Sequence, residues 1–300
     1  MAARIRKKRP FFHRGKRSSD PEEALRREQR KAAQINKMKK GIFILPSLLT
    51  LTSIFFSFYS IVSSIKGDFV IAAALILVAG FFDGIDGKVA RLTKTTTRFG
   101  VELDSLADVI SFGVAPALLM YMWALSPYGR IGWVTAFVFV SCGALRLARF
   151  NVQTGSTDPK RFVGLPIPAA AMMIATTVLF FHKADLDPAG HAIPLMIVTY
   201  LLSFFMVSAV RFHAFKDLTL VKQKPFSSTV AFVLLLALVA AAPFVVPFLL
   251  CAGYVISGPF LLLTGYIRRK RRQREELVVA EAEKTDPDWA HQEQNQGTPP

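Results

Sequence analysis

The chain has 300 residues, of which 52% are hydrophobic and 26 are phenylalanine, and a formal net charge of +16. Its apolar residues fall into blocks of about 20, the length that a helix needs to cross the hydrocarbon core, and no strand-like alternation is long enough for a barrel. This composition excludes a soluble globular enzyme and predicts an all-α, polytopic membrane protein. About eight transmembrane helices are predicted, at roughly 42–64, 69–90, 100–125, 131–150, 163–182, 192–211, 227–242 and 244–267.

The positive charge is concentrated at the amino end, where residues 1–40 carry 15 Lys or Arg against 4 acidic residues. If this end lies inside, nearly all basic residues fall on one side of the eight spans, which is the positive-inside pattern. We therefore expect a multi-pass protein of the cytoplasmic (inner) membrane, with both termini in the cytoplasm. No stacking platform or recognition module accompanies the charge, so we expect no nucleic-acid partner. Membrane lipids are the expected partners of the basic arms.

The chain divides by composition into four regions. Residues 19–40 read as an amphipathic helix on the cytoplasmic surface, with Asp20 as its N-cap, although a merely solvated charged helix has the same pattern. Only the short stretch "AAPFVVP" separates the last two apolar blocks, so one broken span is the alternative to two spans. The predicted domains are a disordered basic arm at 1–18, the juxtamembrane helix at 19–40, a transmembrane catalytic domain at 41–268 and a disordered cytoplasmic tail at 269–300.

The stretch "DGIDGKVARLTKTTTRFGVELDSLAD" places four carboxylates at the ends of two neighbouring apolar spans. Asp83 and Asp86 share one helical face, as do Asp104 and Asp108, because residues three or four apart are neighbours on a helix. A short loop joins the two helices, so the four acids converge at the inner edge of the membrane. Left bare they would repel one another. Oxygen-rich ligation of this kind suits Mg²⁺ or Mn²⁺, and two such ions can promote displacement at phosphorus.

Small residues and one arginine accompany these acids. Gly84, Gly87 and Ala90 remove side-chain bulk, which allows a bulky polar group such as a nucleotide to approach the backbone. Arg91 supplies a guanidinium suited to phosphate oxygens. Ordinary structural alternatives exist for each residue: small side chains permit close helix packing, and Arg91 can serve as an inside-positive anchor. A cation channel or transporter, in which the acids line an ion path, is the alternative of another class.

The order Asp-x-x-Asp-Gly-x-x-Ala-Arg, eight residues, then Gly-x-x-x-Asp-x-x-x-Asp resembles the signature of the CDP-alcohol phosphatidyltransferases. The sequence fits this signature without a gap at Asp83, Asp86, Gly87, Ala90, Arg91, Gly100, Asp104 and Asp108. The resemblance implies two divalent cations, Mg²⁺ or Mn²⁺, held by the four aspartates, and catalytic roles for Asp104 and Asp108, with Asp108 as the general base. It also implies a CDP-linked lipid against Gly87, Ala90, Arg91 and Gly100, and a homodimer.

A second polar stretch, "GALRLARFNVQTGSTDPKRFVGLPIPAAA", closes the fourth predicted span and opens the fifth. Arg146, Arg149 and Asn151 lie at the inner end of the fourth span. Basic residues are expected there as anchors, Arg146 above all. The functional interpretation is an acceptor pocket in which Arg149 meets a carboxylate and Asn151 hydrogen-bonds it.

Together the two stretches resemble the membrane-integrated phosphatidylserine synthases, from about residue 42 to about residue 180. That resemblance implies transfer of the phosphatidyl group from CDP-diacylglycerol to the hydroxyl of L-serine, giving phosphatidylserine and CMP by metal-assisted displacement at phosphorus. Glycerol 3-phosphate or inositol phosphate is the alternative acceptor. Such phosphomonoesters need additional basic groups, and Lys160 and Arg161 leave that alternative open.

Overall fold

The structure, a computed structural model, describes residues 46–93, 97–153, 164–208, 210 and 225–260, with single positions at 264, 270 and 273. Every regular element within these ranges is helical, which confirms the predicted all-α class. The predicted basic arm and juxtamembrane helix lie outside the described residues, as does nearly all of the predicted tail.

Nine α-helices form the described part of the chain. Their bounds are α1 Pro46–Lys66, α2 Phe69–Thr93, α3 Arg98–Asp108, α4 Ala115–Met120, α5 Gly129–Gln153, α6 Ile167–Lys183, α7 Ala192–Val207, α8 Pro225–Ala241 and α9 Val246–Phe260. Two π-helical segments, Val109–Val114 and Tyr121–Leu125, flank α4, and a 3₁₀ turn at Ser126–Tyr128 follows. The regular helix that the sequence suggests over 100–125 is therefore interrupted twice.

The chain reverses direction after the 3₁₀ turn. Gly129 has a φ of 53°, a backbone conformation that glycine adopts without strain. From there α5 packs back against the first π segment and α4. The apolar stretch Phe99–Val152 therefore consists of two helical arms that lie against each other.

Three segments are long and apolar enough to cross a membrane: Pro46–Lys66, Phe69–Val89 and Phe99–Val152. The pair α8 and α9 passes the same test together but is bent by 120°, as in a broken span or a re-entrant loop, while α6 and α7 are apolar but shorter. Large apolar side chains such as Phe55, Phe81 and Phe232 are each more than 60% exposed. Helices that are apolar on their outer faces indicate a membrane protein.

In the core, α2 packs against both α1 and α6. Ile76 and Phe112 are fully buried there, and α2 packs against α6 while α5 packs against α7. Serine hydroxyls of α1 reach the backbone of α2: Ser53 Oγ donates to Ala79 O at 3.0 Å, and Ser60 Oγ donates to Ala72 O at 2.8 Å. Such interhelical hydrogen bonds stabilise helix pairs in an apolar environment. They fix the register of α1 on α2, which determines which residue of α1 lies beside the acids of α2.

Candidate metal and active site

The four aspartates of α2 and α3 share one small volume. One carboxylate oxygen from each of Asp83, Asp86 and Asp104 lies within 4.8 Å of the other two. The carboxyl group of Asp108 lies beside that of Asp83 and interacts electrostatically with it. The structure thus brings together the four acids that the sequence singled out. Their separations in the chain, three on α2 and four on α3, put each pair on one helical face.

The start of α3 determines where its two acids lie. Thr97 is the N-cap, and its Oγ1 accepts a hydrogen bond of 2.9 Å from the backbone N–H of Gly100. A Cβ at Gly100 would lie 3.1 Å from that oxygen. A glycine here therefore leaves room for the cap, which satisfies one of the unpaired N–H groups of the first turn. Gly100 therefore has a local role in capping α3, and its contact with the CDP-lipid stays a prediction.

Thr50 of α1 is a site residue that the sequence reasoning missed. Its Oγ1 donates a hydrogen bond of 2.8 Å to Oδ2 of Asp86, and the same hydroxyl lies 3.0 Å from the carbonyl oxygen of Pro46. Asp86 is 2% exposed and Thr50 is 4% exposed. A signal was present in the sequence, because Thr50 continues the three- and four-residue spacing of Ser53, Ser57 and Ser60, which marks one polar face of an otherwise apolar span.

Space remains open beside the acids on the α2 side. A Cβ added to Gly84 would meet no atom within 4 Å, so this glycine is not required by the packing of the described residues. The side chains of Ala90 and Arg91 lie outside the described part of the structure. Gly87 is half-buried. The contacts of Gly87, Ala90 and Arg91 with a CDP-lipid stay predictions.

The end of α5 brings a third helix to the cluster. Arg146 is half-buried and interacts electrostatically with Asp108. Nδ2 of Asn151 donates a hydrogen bond of 3.0 Å to Oγ of Ser105, the residue that follows Asp104. Arg149 is exposed. Of the three predicted acceptor residues, the structure therefore ties Arg146 and Asn151 to the neighbourhood of the acids.

The donor set fits divalent cations. Carboxylate oxygens are the ligands that Mg²⁺ and Mn²⁺ prefer, and three of these oxygens lie within 4.8 Å of one another. Each carboxylate also faces other acids: Asp83 interacts electrostatically with Asp86, Asp104 and Asp108. A bound cation relieves that repulsion, which gives a physical reason for four acids to gather in a largely apolar bundle of helices.

Comparison with known proteins identifies relatives. The family described as CDP-alcohol phosphatidyltransferase matches residues 43–205. A CDP-diacylglycerol–serine O-phosphatidyltransferase of Helicobacter pylori is 43% identical over 175 residues, which cover 58% of this chain and 74% of that protein. An archaetidylserine synthase of Methanothermobacter thermautotrophicus is 40% identical over 181 residues, 59% of this chain and 73% of the relative. A CDP-diacylglycerol–serine O-phosphatidyltransferase of Methanocaldococcus jannaschii is 32% identical over 217 residues, which cover 72% of this chain and 96% of that protein.

Proposed function

Because the chain belongs to the CDP-alcohol phosphatidyltransferase family, we propose that it transfers the phosphatidyl group of CDP-diacylglycerol to the hydroxyl of L-serine. The products are phosphatidylserine and CMP. The observation that carries this proposal is the convergence of the four aspartates of α2 and α3. The names of the relatives support serine as the acceptor, since each of the three is named for a serine-linked lipid product or for serine itself.

The acceptor hydroxyl needs a base, and Asp108 is the proposed one. A serine hydroxyl is a weak nucleophile until a carboxylate accepts its proton. As the proton passes to Asp108, the hydroxyl oxygen forms a bond to the lipid-side phosphorus of the diphosphate. The bond from that phosphorus to the oxygen of the departing CMP breaks, and CMP leaves with the electron pair. Arg146, which interacts with Asp108, holds a positive charge beside the base.

Asp83, Asp86, Asp104 and Asp108 are the residues that would hold two divalent cations, Mg²⁺ or Mn²⁺. When bound, these ions supply electrostatic stabilisation of the negative charge that grows on the diphosphate as CMP departs. The protein contributes the orientation of the ligands. Thr50 fixes Asp86 through its 2.8 Å hydrogen bond, and the Thr97 cap fixes the first turn of α3.

The CDP-lipid and the acceptor occupy different sides of the cluster in this proposal. The donor lies against Gly87, Ala90, Arg91 and Gly100, next to the open space at Gly84. Its acyl chains stay in the bilayer, which explains why the acids belong to a bundle of apolar helices. Arg146, Arg149 and Asn151 of α5 form the acceptor side.

The proposed setting is the cytoplasmic membrane, with about eight spans, both termini and the site facing the cytoplasm, and a homodimer as the assembled form. Residues 1–40 carry 15 basic side chains and would lie at the surface of that membrane, where anionic lipid headgroups attract them. A divalent-cation channel or transporter is disfavoured, because Asp83 and Asp86 lie in the last third of the apolar stretch Phe69–Val89 and Asp104 and Asp108 lie within the first ten residues of Phe99–Val152, so the four acids gather toward one side of these stretches.

An assay of CMP release tests this function. Purified protein in mixed micelles receives CDP-diacylglycerol, Mn²⁺ or Mg²⁺ and labelled L-serine. We expect metal-dependent release of CMP with equimolar formation of labelled lipid. Parallel reactions with glycerol 3-phosphate and inositol phosphate identify the acceptor. Faster turnover of either compound would show that it, and not serine, is the acceptor. Metal flux across protein-containing vesicles without any CMP release would contradict the enzyme assignment.

A further inference from the structure

A cavity of about 510 Å³ lies at the opposite end of α2 from the aspartates. Its walls come from the start of α2, the second π segment and the end of α6. Phe69 lines the cavity, and Asp83 lies about 21 Å further along α2, at the rise of 1.5 Å per helical residue. The cavity is therefore separate from the candidate active site, and its volume is typical of a site for a small ligand.

The chemistry of the walls favours a cation. The carboxylates of Asp68 and Asp185 line the cavity, and among the described residues around it there is no lysine or arginine. Trp123 and Phe181 form an aromatic wall, with ring centroids 5.3 Å apart and planes at 82°. Aromatic faces attract organic cations such as ammonium groups, and carboxylates pair with the same groups.

A metal ion fits this cavity less well than an organic cation does. Within the described residues, the one group of three acidic or histidine side chains whose ligand atoms lie within 4.8 Å of one another is that of Asp83, Asp86 and Asp104. Asp68, Asp185 and the nearby His182 are thus too far apart to surround one ion. The separation suits a larger cation, which reaches the two carboxylates from a common position.

Asp185 stands at a position where the end of α6 favours glycine. Its φ is 52°. Two hydrogen bonds close the turn, from Leu186 N to Phe181 O at 3.0 Å and from Asp185 N to His182 O at 3.4 Å. This is the Schellman arrangement, whose left-handed residue is usually glycine. A negative charge at the carboxyl end of a helix also opposes the helix dipole. Aspartate is unfavourable for the fold on both counts, which indicates another role for its carboxylate.

The other residues of the cavity indicate a lipid as the source of the cation. Ile71 and Leu186 line it and are 49% and 37% exposed, and exposed apolar side chains of membrane helices contact acyl chains. The imidazole of His182, which also lines the cavity, can donate a hydrogen bond to a phosphate oxygen. The cavity thus offers partners for the ammonium, the phosphate and the acyl chains of one molecule.

We propose that this cavity binds an organic ammonium group, supplied by the headgroup of a membrane aminophospholipid. Asp68 and Asp185 receive the ammonium beside the ring of Trp123, and His182 contacts the phosphate. A soluble amine carries the same ammonium without the acyl chains. The inference does not rest on the proposed transfer to serine, because the cavity and the aspartate cluster lie at different ends of α2.

Fluorescence of Trp123 in the full chain tests the inference. The chain has 3 tryptophans, so Trp133→Phe with Trp289→Phe leaves Trp123 as the reporter. In detergent micelles, we expect phosphatidylethanolamine to change this fluorescence saturably and phosphatidylglycerol with the same acyl chains to leave it unchanged. Free ethanolamine separates the two sources. Saturation at much higher concentrations supports the lipid, and saturation at the same concentrations would assign the ammonium site to a soluble amine.

Two variants of Asp185 separate ligand binding from folding. In the same reporter background, Asp185→Asn and Asp185→Gly should each weaken the binding of phosphatidylethanolamine about threefold to tenfold, as for loss of a partly exposed charged contact. Asp185→Gly should also keep or raise the thermal midpoint, since glycine adopts a positive φ without strain.

Asp187→Asn is the matched control, because it removes the same charge from the same loop. Asp187 is not among the residues that line the cavity. Its carboxylate accepts hydrogen bonds from Ala189 N at 3.1 Å and Gly190 N at 3.0 Å, so its role is in the turn. This variant should bind phosphatidylethanolamine as the wild type does.

Several results would overturn the inference. These are equal responses to phosphatidylethanolamine and phosphatidylglycerol, unchanged binding in both Asp185 variants, or an equal loss of binding in Asp187→Asn. A lower thermal midpoint in Asp185→Gly would show that Asp185 supports the fold. None of these measurements depends on CMP release, so failure of the inference is distinguishable from failure of the proposed function.

Discussion

Thr50 and Asp86 join α1 to the carboxylate cluster through a hydrogen bond of 2.8 Å between the threonine Oγ1 and the aspartate Oδ2. Both residues are buried. The bond continues the row of serine contacts that fixes α1 on α2. One helix with no acidic residue within its span thus sets the orientation of an acid on the next helix.

Replacing Thr50 by Val should weaken metal-dependent activity. The change keeps the shape of the side chain and removes a hydrogen bond to a charged group, which is worth about 1.5–3 kcal/mol. We expect the Mn²⁺ concentration for half-maximal CMP release to rise at least about tenfold, since about 1.4 kcal/mol corresponds to a factor of ten. Thr50→Ser retains the hydroxyl and should keep most of the affinity for Mn²⁺.

Thr52→Val is the control for this change. Thr52 lies on the exposed face of the same helix and donates only to the carbonyl of Leu48, at 2.8 Å. It should leave the Mn²⁺ requirement unchanged. Equal rises in the required Mn²⁺ concentration in the two variants would show that Thr50 affects activity through the stability of α1 and not through its bond to Asp86.

Asp108→Asn should abolish turnover while the protein stays folded. General-base catalysis contributes about 10²–10⁴-fold to rate, and an amide accepts no proton at neutral pH. Glu102→Gln neutralises an exposed acid on the same helix and should retain wild-type turnover. CMP release, together with size-exclusion profiles of both variants, is the measurement. If the Asp108→Asn variant kept more than about a tenth of the wild-type rate, Asp108 would not be the general base.

Asn151→Leu should raise the KM for serine more than Ser105→Ala does. Asn151 donates to Ser105 at 3.0 Å, so both variants lose this bond. Only the first also removes an amide from the proposed acceptor side. We expect a rise of about tenfold for Asn151→Leu, as for loss of one hydrogen bond to a charged group. Equal KM values for serine in the two variants would mean that Asn151 only supports α3 and does not contact the acceptor.

Gly164→Ala should destabilise the fold. Gly164 has a φ of +89°, and a Cβ there would lie 2.5 Å from the carbonyl oxygen of Met206. A non-glycine residue held in such a conformation costs about 1–3 kcal/mol. Gly253→Ala on α9 would meet no atom within 4 Å and should be neutral or stabilising, because alanine favours helix more than glycine. Thermal midpoints in detergent give the comparison, and equal midpoints would contradict the strain argument.

The acidic hairpin was predictable because its information is local. Asp83 with Asp86, and Asp104 with Asp108, follow helical spacing, and a short loop forces their helices together. The structure brings the four side chains together as predicted. The all-helical class followed from equally local patterns of hydrophobicity.

The rest of the site depends on contacts between distant parts of the chain. Thr50 precedes Asp86 by 36 residues, and Asn151 donates a hydrogen bond to Ser105, which lies 46 residues earlier in the chain. Spacing within one helix cannot reveal such pairs. The π segment that begins at Val109, immediately after Asp108, was also missed, because hydrophobic periodicity does not separate π-helix from α-helix over so few residues. π-Helical turns occur often at functional sites.

Equilibrium binding of Mn²⁺, followed through the electron paramagnetic resonance signal of the free ion, tests the metal site most directly. We predict about two bound ions per chain for the wild-type protein and for Glu102→Gln, as in a two-metal site for displacement at phosphorus. Asp83→Asn and Asp104→Asn should each lose at least one ion while remaining folded. A wild-type protein that binds no Mn²⁺, or aspartate variants that bind as much as the wild type, would contradict the account.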